Sequence, residues 1–274
     1  MYIFDQHMHC SCSFDSHAPI GEMACTAKEM GMHAVCFTDH MDMGDGETGQ
    51  PYEHPFRERR ALFERRREDY ERESAAGLTL RLGMELGEPL DNPAEAVEAS
   101  RMEGLDLVIG SLHHLRGVPD FYFLRYESEA HCEALNHRYL AELAETAKLD
   151  CFDVMGHIGY TSRYMEKQGF HEKLTAEKYG DELRTLLRLL IERGKGIECN
   201  ASGYRDGGTF PYPDADVLRL YRSLGGEIIT VGSDAHSPEQ VRAAKLKEVY
   251  ALLQDCGFRA VCEFRERKPH FIDL

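Results

Sequence analysis

Six short stretches of this 274-residue chain end in side chains that bind metals. They are Asp5-Gln-His7-Met-His9, Phe37-Thr-Asp-His40, Gly83-Met-Glu85, Ser111-Leu-His113, Val154-Met-Gly-His157 and Gly232-Ser-Asp234-Ala-His236. Each sits where a short apolar run gives out, as a strand would. Imidazoles and carboxylates delivered from the ends of many strands to one rim would build a site for several divalent cations. His7 and His9 lie two apart, so on a strand both point to one face and can share an ion. Asp234 and His236 repeat that spacing near the other end of the chain. A lone His-x-His pair says little in a chain with 14 histidines; the recurrence at strand ends is the informative feature. His33, His54, His131, His137, His171 and His270 show no such placement and read as ordinary structural or surface residues. A carboxylate at Glu85, after an apolar run and a glycine, is costly unless paired or metal-bound, and its two oxygens can bridge two ions. Asp39, beside His40, reads either as a partner that orients a ligand or as a loop cap.

Two further stretches place an arginine a few residues beyond a strand end: Gly156-His157-Ile-Gly-Tyr-Thr-Ser-Arg163 and Glu198-Cys-Asn200-Ala-Ser202-Gly203-Tyr-Arg205. Planar guanidiniums at the rim of a cationic site would clamp the peripheral oxygens of a phosphate. Either one alone reads as a surface ion-pair residue; their matched placement argues for the clamp.

The elements that must position these residues alternate along the chain. Seven apolar runs, at 2–6, 34–38, 79–85, 106–111, 152–156, 195–200 and 227–232, read as strands. Segments of helical period lie between them, at 20–31, 128–147, 181–194 with a glycine stop at Gly194, and 238–253 with Ser237-Pro238 as cap and first turn. This pattern predicts one α/β domain over residues 1–274, a distorted (β/α)7 TIM-like barrel one repeat short of the usual eight. A doubly wound open sheet would bring ligands from only two or three strands to a switch point, whereas six of these seven carry one. The long connection 41–78 opens with a Gly/Asp-rich, mobile-looking stretch from Met41 to Gln50. It continues as a charged helical run, Phe56 to Ser74, which reads as a solvated helix face or a substrate lid. Residues 260–271 alternate apolar and polar and suggest an edge strand or hairpin covering one barrel end.

A net charge of −16, with 48 acids against 32 bases, argues against nucleic-acid binding, which needs clustered Lys and Arg. Nine cysteines, an odd number without zinc-finger spacing and several in apolar runs, read as reduced buried residues of a cytoplasmic protein. No run approaches the ~18 apolar residues of a membrane span, and the start reads as a strand without a leader pattern, so a soluble chain without membrane partners is expected.

At the metal-ligand stretches, together with Ser111-Leu-His113-His, Gly156-His157 and Glu198-x-Asn200-x-Ser202-Gly203-x-Arg205, the sequence resembles the PHP (polymerase and histidinol phosphatase) family, and more narrowly its histidinol-phosphate phosphatases, nearly end to end. The resemblance implies a seven-stranded barrel with three divalent metal ions, zinc, iron or manganese. One ion would be held by His7, His9, Glu85 and Asp234, and a second by Glu85, His113 and His157. The third would take His40, His236 and a residue of the stretch Cys12 to His17. Relatives often use a histidine or aspartate eight residues after the first histidine, which is Asp15 here, while His17 offers the better zinc ligand; His17 and His114 stand as neighbours or alternates. Arg163 and Arg205 match the phosphate-binding arginines of the phosphatase branch. The implied activity is hydrolysis of a small phosphorylated metabolite, L-histidinol phosphate, by a metal-bridging hydroxide, with no general acid assigned. The alternatives are a family phosphoesterase acting on a nucleotide or sugar phosphate, and a non-catalytic metal or metabolite sensor.

Overall fold

The computed structural model describes residues 2–73 and 77–274. Seven strands form one parallel sheet: β1 (Phe4–Met8), β2 (Ala34–Phe37), β5 (Thr79–Gly87), β6 (Leu107–Ser111), β7 (Val154–Met155), β8 (Gly196–Asn200) and β9 (Ile229–Gly232). Their spatial order is their chain order. The sheet closes on itself beyond the strand ends, where Met8 bridges Ala235, the His9 N–H donates to the Ala235 carbonyl at 2.9 Å and the Asp234 N–H to that of His7 at 2.7 Å. The molecule is therefore the seven-stranded α/β barrel that the apolar runs predict. β1 begins and ends two residues later than the predicted run and β5 extends to Gly87, which puts His7 and Glu85 inside strands rather than after them.

Helices α1 (Ile20–Glu29), α3 (Pro93–Ser100), α4 (Glu129–Thr146), α5 (Thr161–Lys167), α6 (Gly180–Glu192), α7 (Ala215–Ser223), α8 (Pro238–Ala243) and α9 (Leu246–Asp255) surround the barrel. α6 buries Leu183, Leu186, Leu187 and Leu190, the stripe its helical period dictates, and stops before Gly194, whose φ of 69° an L side chain rarely adopts. Ser237 caps α8 by accepting from the Gln240 N–H, as its sequence predicts. The predicted single helix 238–253 is broken at Ala244, where the backbone is extended; no glycine or proline marks that break. α3, α5 and α7 are absent from the sequence reading because each is short, and α7 is hidden behind a proline-rich approach.

The connection after β2 differs from its reading. Residues 41–50 are not loose: β3 (Gly44–Asp45) and β4 (Gln50–Pro51) form a small hairpin. The charged run is α2 (Pro55–Glu73), and Ser74 lies outside the described residues. Most of α2 is solvated, but Phe56, Phe63 and Arg66 are buried. At the far end of the barrel β10 (Ala260–Arg265) and β11 (Lys268–Asp273) make the expected hairpin. Cys262 and Phe264 plug the barrel bottom against Cys36, Leu107, Ile109 and Val154. The nine cysteines are free and seven of them are buried. Among the described residues no helix is long and apolar enough to cross a membrane.

Candidate metal centre

All nine side chains singled out as ligands meet at the C-terminal rim. Glu85 is the hub. Its Oε1 lies 2.8 Å from His157 Nε2 and 3.2 Å from His113 Nε2, and it accepts the Ser111 hydroxyl at 2.7 Å. Its Oε2 faces the other side, 3.2 Å from His7 Nε2, 3.4 Å from His9 Nε2 and 3.3 Å from His40 Nδ1. One carboxylate thus offers a separate oxygen to each of two imidazole clusters, which is the geometry of a bridging ligand. Asp234 Oδ1 stands 3.3 Å from His9 Nε2 and 3.7 Å from His7 Nε2. Its backbone has φ of 55°, left-handed and unusual outside glycine. Asp15 Oδ2 is 2.9 Å from His236 Nε2 and 3.6 Å from His40 Nε2, and the ligand atoms of His9, Asp15, His40 and His236 lie within 4.8 Å of one another. His17 is exposed and absent from these groups; His114 is buried nearby, 3.7 Å from Asp91.

Hydrogen bonds behind the rim set the rings. His7 donates from Nδ1 to Glu198 Oε1 at 2.7 Å, and His236 from Nδ1 to the Asp234 carbonyl at 2.9 Å. Glu198 Oε2 also accepts from the His157 N–H at 2.9 Å and from Asn200 at 3.0 Å. Glu88 accepts the His113 N–H at 2.6 Å, and Asp42 lies 3.3 Å from His40 Nδ1. Asp5 pins β1 to β9, accepting from the N–H groups of His7 at 3.1 Å and Ser233 at 2.9 Å. Gly232 is required for this packing, since a Cβ there would fall 2.3 Å from Glu198 Oε1. Sequence reasoning missed Glu198, Asp42 and Glu88 as partners. Glu198 carries the same signal as Glu85, an acid inside an apolar run.

The electrostatics suit cations. Burial works against a charged imidazole at His7, yet Glu198, Glu85 and Asp234 outweigh it and hold its pKa well above the ordinary value; at His40 Asp42 and Glu85 do the same, and at His113 Glu85 and Glu88. Burial likewise opposes ionisation of Glu85 and Asp234, but the imidazoles hold both carboxyls well below the usual range. His9, lowered to about 3 by burial and by its neighbours His236 and His40, is neutral. The His7 and His9 Nε2 atoms face each other at 3.1 Å, an approach that needs a positive charge in the gap. Protons meet that demand in a metal-free rim, and divalent cations would meet it better. The donor set of imidazoles and carboxylates fits such ions.

A cavity of about 800 Å³ opens over this floor. Arg163 and Arg205 are among its lining residues. Arg163 Nη2 donates to Ser202 Oγ at 2.5 Å, joining the two arginine stretches. Arg205 is tied to the carbonyls of Ser233 and Asp234 and to Gln240. One wall is the β3–β4 hairpin zipped to the loop 116–123, with the Gly117 N–H on the Gly49 carbonyl at 2.8 Å and that of Asp120 on Gly46 at 2.7 Å. This wall and its base carry Asp42, Asp45, Glu47, Glu88 and Asp120. Among the described residues, four of the six exposed large hydrophobic ones, Phe14, Tyr52, Tyr122 and Phe123, line the same cavity.

A seven-stranded α/β barrel whose rim gathers six histidines around one shared carboxylate belongs to the class of metal-dependent barrel hydrolases. Residues 5–202 match the PHP domain, and the chain belongs to that family. It is 27% identical to a probable histidinol-phosphatase of Deinococcus radiodurans over 96% of this chain and 97% of that one. It is 25% identical to a probable histidinol-phosphatase of Thermotoga maritima over 93% of each. Among solved structures, the histidinol phosphate phosphatase of Lactococcus lactis, complexed with zinc, L-histidinol and phosphate, superposes with a TM-score of 0.80 at 22% identity, covering 97% of this chain and 98% of that one.

Proposed function

We propose that this protein is a phosphatase that hydrolyses L-histidinol phosphate to L-histidinol and phosphate, as its relatives are named to do. The observation that carries the reading is the mixed lining of the cavity over the ligand floor, with phosphate-binding and cation-binding groups together: two arginines, five carboxylates and four exposed aromatics. A phosphate monoester of a molecule bearing an ammonium and an imidazole matches that lining. Its phosphoryl oxygens face Arg163 and Arg205, its cationic groups face Asp45, Glu47 and Asp120, and its ring packs on Tyr122 or Phe123. The same acids disfavour a nucleotide, whose extra phosphates would meet them.

In this reading His7, His9, Glu85 and Asp234 hold one divalent ion, Glu85, His113 and His157 a second, and His40, His236 and Asp15 a third, within a single domain of residues 1–274. Zinc, iron and manganese all suit these donors. Bound ions would supply Lewis acidity at phosphorus and an acidified water. The chain's own work is to hold the ester against the floor, to balance phosphoryl charge with Arg163 and Arg205, and to keep Arg205 on the Asp234 backbone so that clamp and floor stay in register.

The test is phosphate release by the purified, metal-analysed protein from L-histidinol phosphate beside a panel of nucleotides and sugar phosphates. A kcat/KM orders of magnitude above the panel is expected. Comparable turnover of another ester would discard the substrate, and no turnover with metals bound would favour a sensor.

A further inference from the structure

α2 reaches the barrel rim through one side chain. Arg66 stands in the run Arg65-Arg66-Arg67, and it alone of the three is wholly buried, at 0% exposure. Its Nη1 donates to Asp39 Oδ2 at 2.7 Å, its Nη2 donates to the Gly83 carbonyl at 2.6 Å, and the guanidinium lies 4.3 Å over the Phe63 ring. Asp39 precedes His40 and Gly83 lies two residues before Glu85, so one guanidinium joins the two strand ends that deliver those side chains.

From Asp39 the hydrogen bonds run on toward the rim. A carboxylate paired with a guanidinium only accepts. Asp39 Oδ1 takes the Cys10 N–H at 2.7 Å and the Ser13 hydroxyl at 2.7 Å, and Oδ2 takes the Cys10 thiol at 3.1 Å. A hydroxyl has one proton, and that of Ser13 is committed to Asp39. Its other two contacts, the His40 N–H at 3.2 Å and His9 Nδ1 at 2.9 Å, must therefore donate to it. His9 carries its ring proton on Nδ1, which leaves Nε2 bare toward Glu85 and Asp234.

We infer that Arg66 is a positioning residue: through Asp39 and Ser13 it fixes the tautomer and ring direction of His9, so that a helix outside the strand and helix repeat governs how tightly the rim holds a cation. The inference rests on the metal-centre reading above. Partners that orient a ligating histidine typically change metal affinity by about 10 to 100-fold when removed.

The test takes the full-length protein through zinc competition against a chelator, and the metal-free protein, labelled with nitrogen-15 at histidine, through NMR. Arg66→Met keeps bulk and removes charge and donors; Arg66→Lys returns the charge without the fork. Arg66→Met should lose zinc affinity by roughly 10 to 100-fold and convert His9 from the Nδ1-protonated form to a mixture, with Arg66→Lys between. Arg60→Met, on the exposed face of the same helix, should change neither. A lowered Tm in Arg66→Met with zinc affinity and His9 tautomer unchanged would make Arg66 structural and overturn the inference. Should Arg66→Met fail to fold, Ser13→Ala cuts the chain beyond the ion pair, and wild-type affinity and tautomer there overturn it equally. A wild-type protein that binds no zinc would strike the metal-centre reading instead, while the His9 tautomer in the metal-free variants still decides for or against Arg66.

Discussion

On the cavity floor Glu85 meets six other side chains within 3.4 Å, whereas on the wall above it Tyr122 and Phe123 are 66% and 55% exposed. Apart from Asp15, the floor residues sit on or just past strands, and the rings of His7, His113 and His9 are held from behind by Glu198, Glu88 and Ser13. The wall is a hairpin and a loop joined to each other by main-chain bonds. The contrast separates two tasks. Chemistry that tolerates little displacement is built where the barrel fixes geometry; selection among substrates is left to loops that can change without moving the floor.

The largest effect should come from the floor's hub. Glu85→Ala removes the oxygens shared by both imidazole clusters, and kcat/KM for L-histidinol phosphate should fall roughly 10³-fold or more, with metal content reduced when measured on the same sample. Retained metals and near-normal turnover would show that the floor is not organised around Glu85. Next, Arg163→Ala should lower kcat/KM by about 10²-fold with metal content intact, because Arg163 is held by Ser202 and Tyr212, which are not among the ligand residues. Arg205 is the less clean probe, since it also holds the Asp234 backbone.

Glu198→Gln should weaken metal binding by roughly 10 to 100-fold, and its omission from the sequence reading is instructive. The floor was legible because strand ends give ligands a characteristic spacing: His-x-His, Asp-x-His, and Glu85 after glycine. Asp15 was favoured by register alone, and the structure brings it, not His17, to His40 and His236. Asp42 stands two residues after His40 and shares that spacing, whereas Glu88 and Arg66 had none, because their contacts with the rim are tertiary. Within the arginine-rich run only helical phase with Phe63, three residues before, separates Arg66 from its neighbours. The barrel was legible from seven apolar runs, while the β3–β4 hairpin was not, because its strands are two residues each and its pairing depends on the loop 116–123.

The protonation of the floor gives a smaller, graded effect. The raised imidazoles of His7, His40 and His113 stabilise the metal-free protein fully below about pH 6.5, the ordinary imidazole value. That contribution is lost as pH rises through their higher folded values. The Tm of the metal-free protein should therefore decline on the alkaline side of neutrality, while zinc affinity rises by roughly tenfold per pH unit for each proton displaced. A flat metal-free profile would mean that the acids around these rings do not hold protons there.

The wall should yield the smallest change and the most specific one. Asp120 is the useful position: burial raises its carboxyl to about 6, and its own N–H holds the hairpin through Gly46 at 2.7 Å whatever the side chain. Its Oδ1 accepts the Tyr122 N–H at 2.7 Å, a contact that the carbonyl of an asparagine can keep. Asp120→Asn thus removes charge without opening the wall. If the wall recognises the cationic end of the substrate, KM for L-histidinol phosphate should rise by about fivefold, the scale of a partly exposed ion pair. Turnover of p-nitrophenyl phosphate, which has no cationic end, should stay as it was. An equal loss on both substrates would mean that the charge acts on the floor, and the division between the two regions would then fail at the residue where they come closest in function.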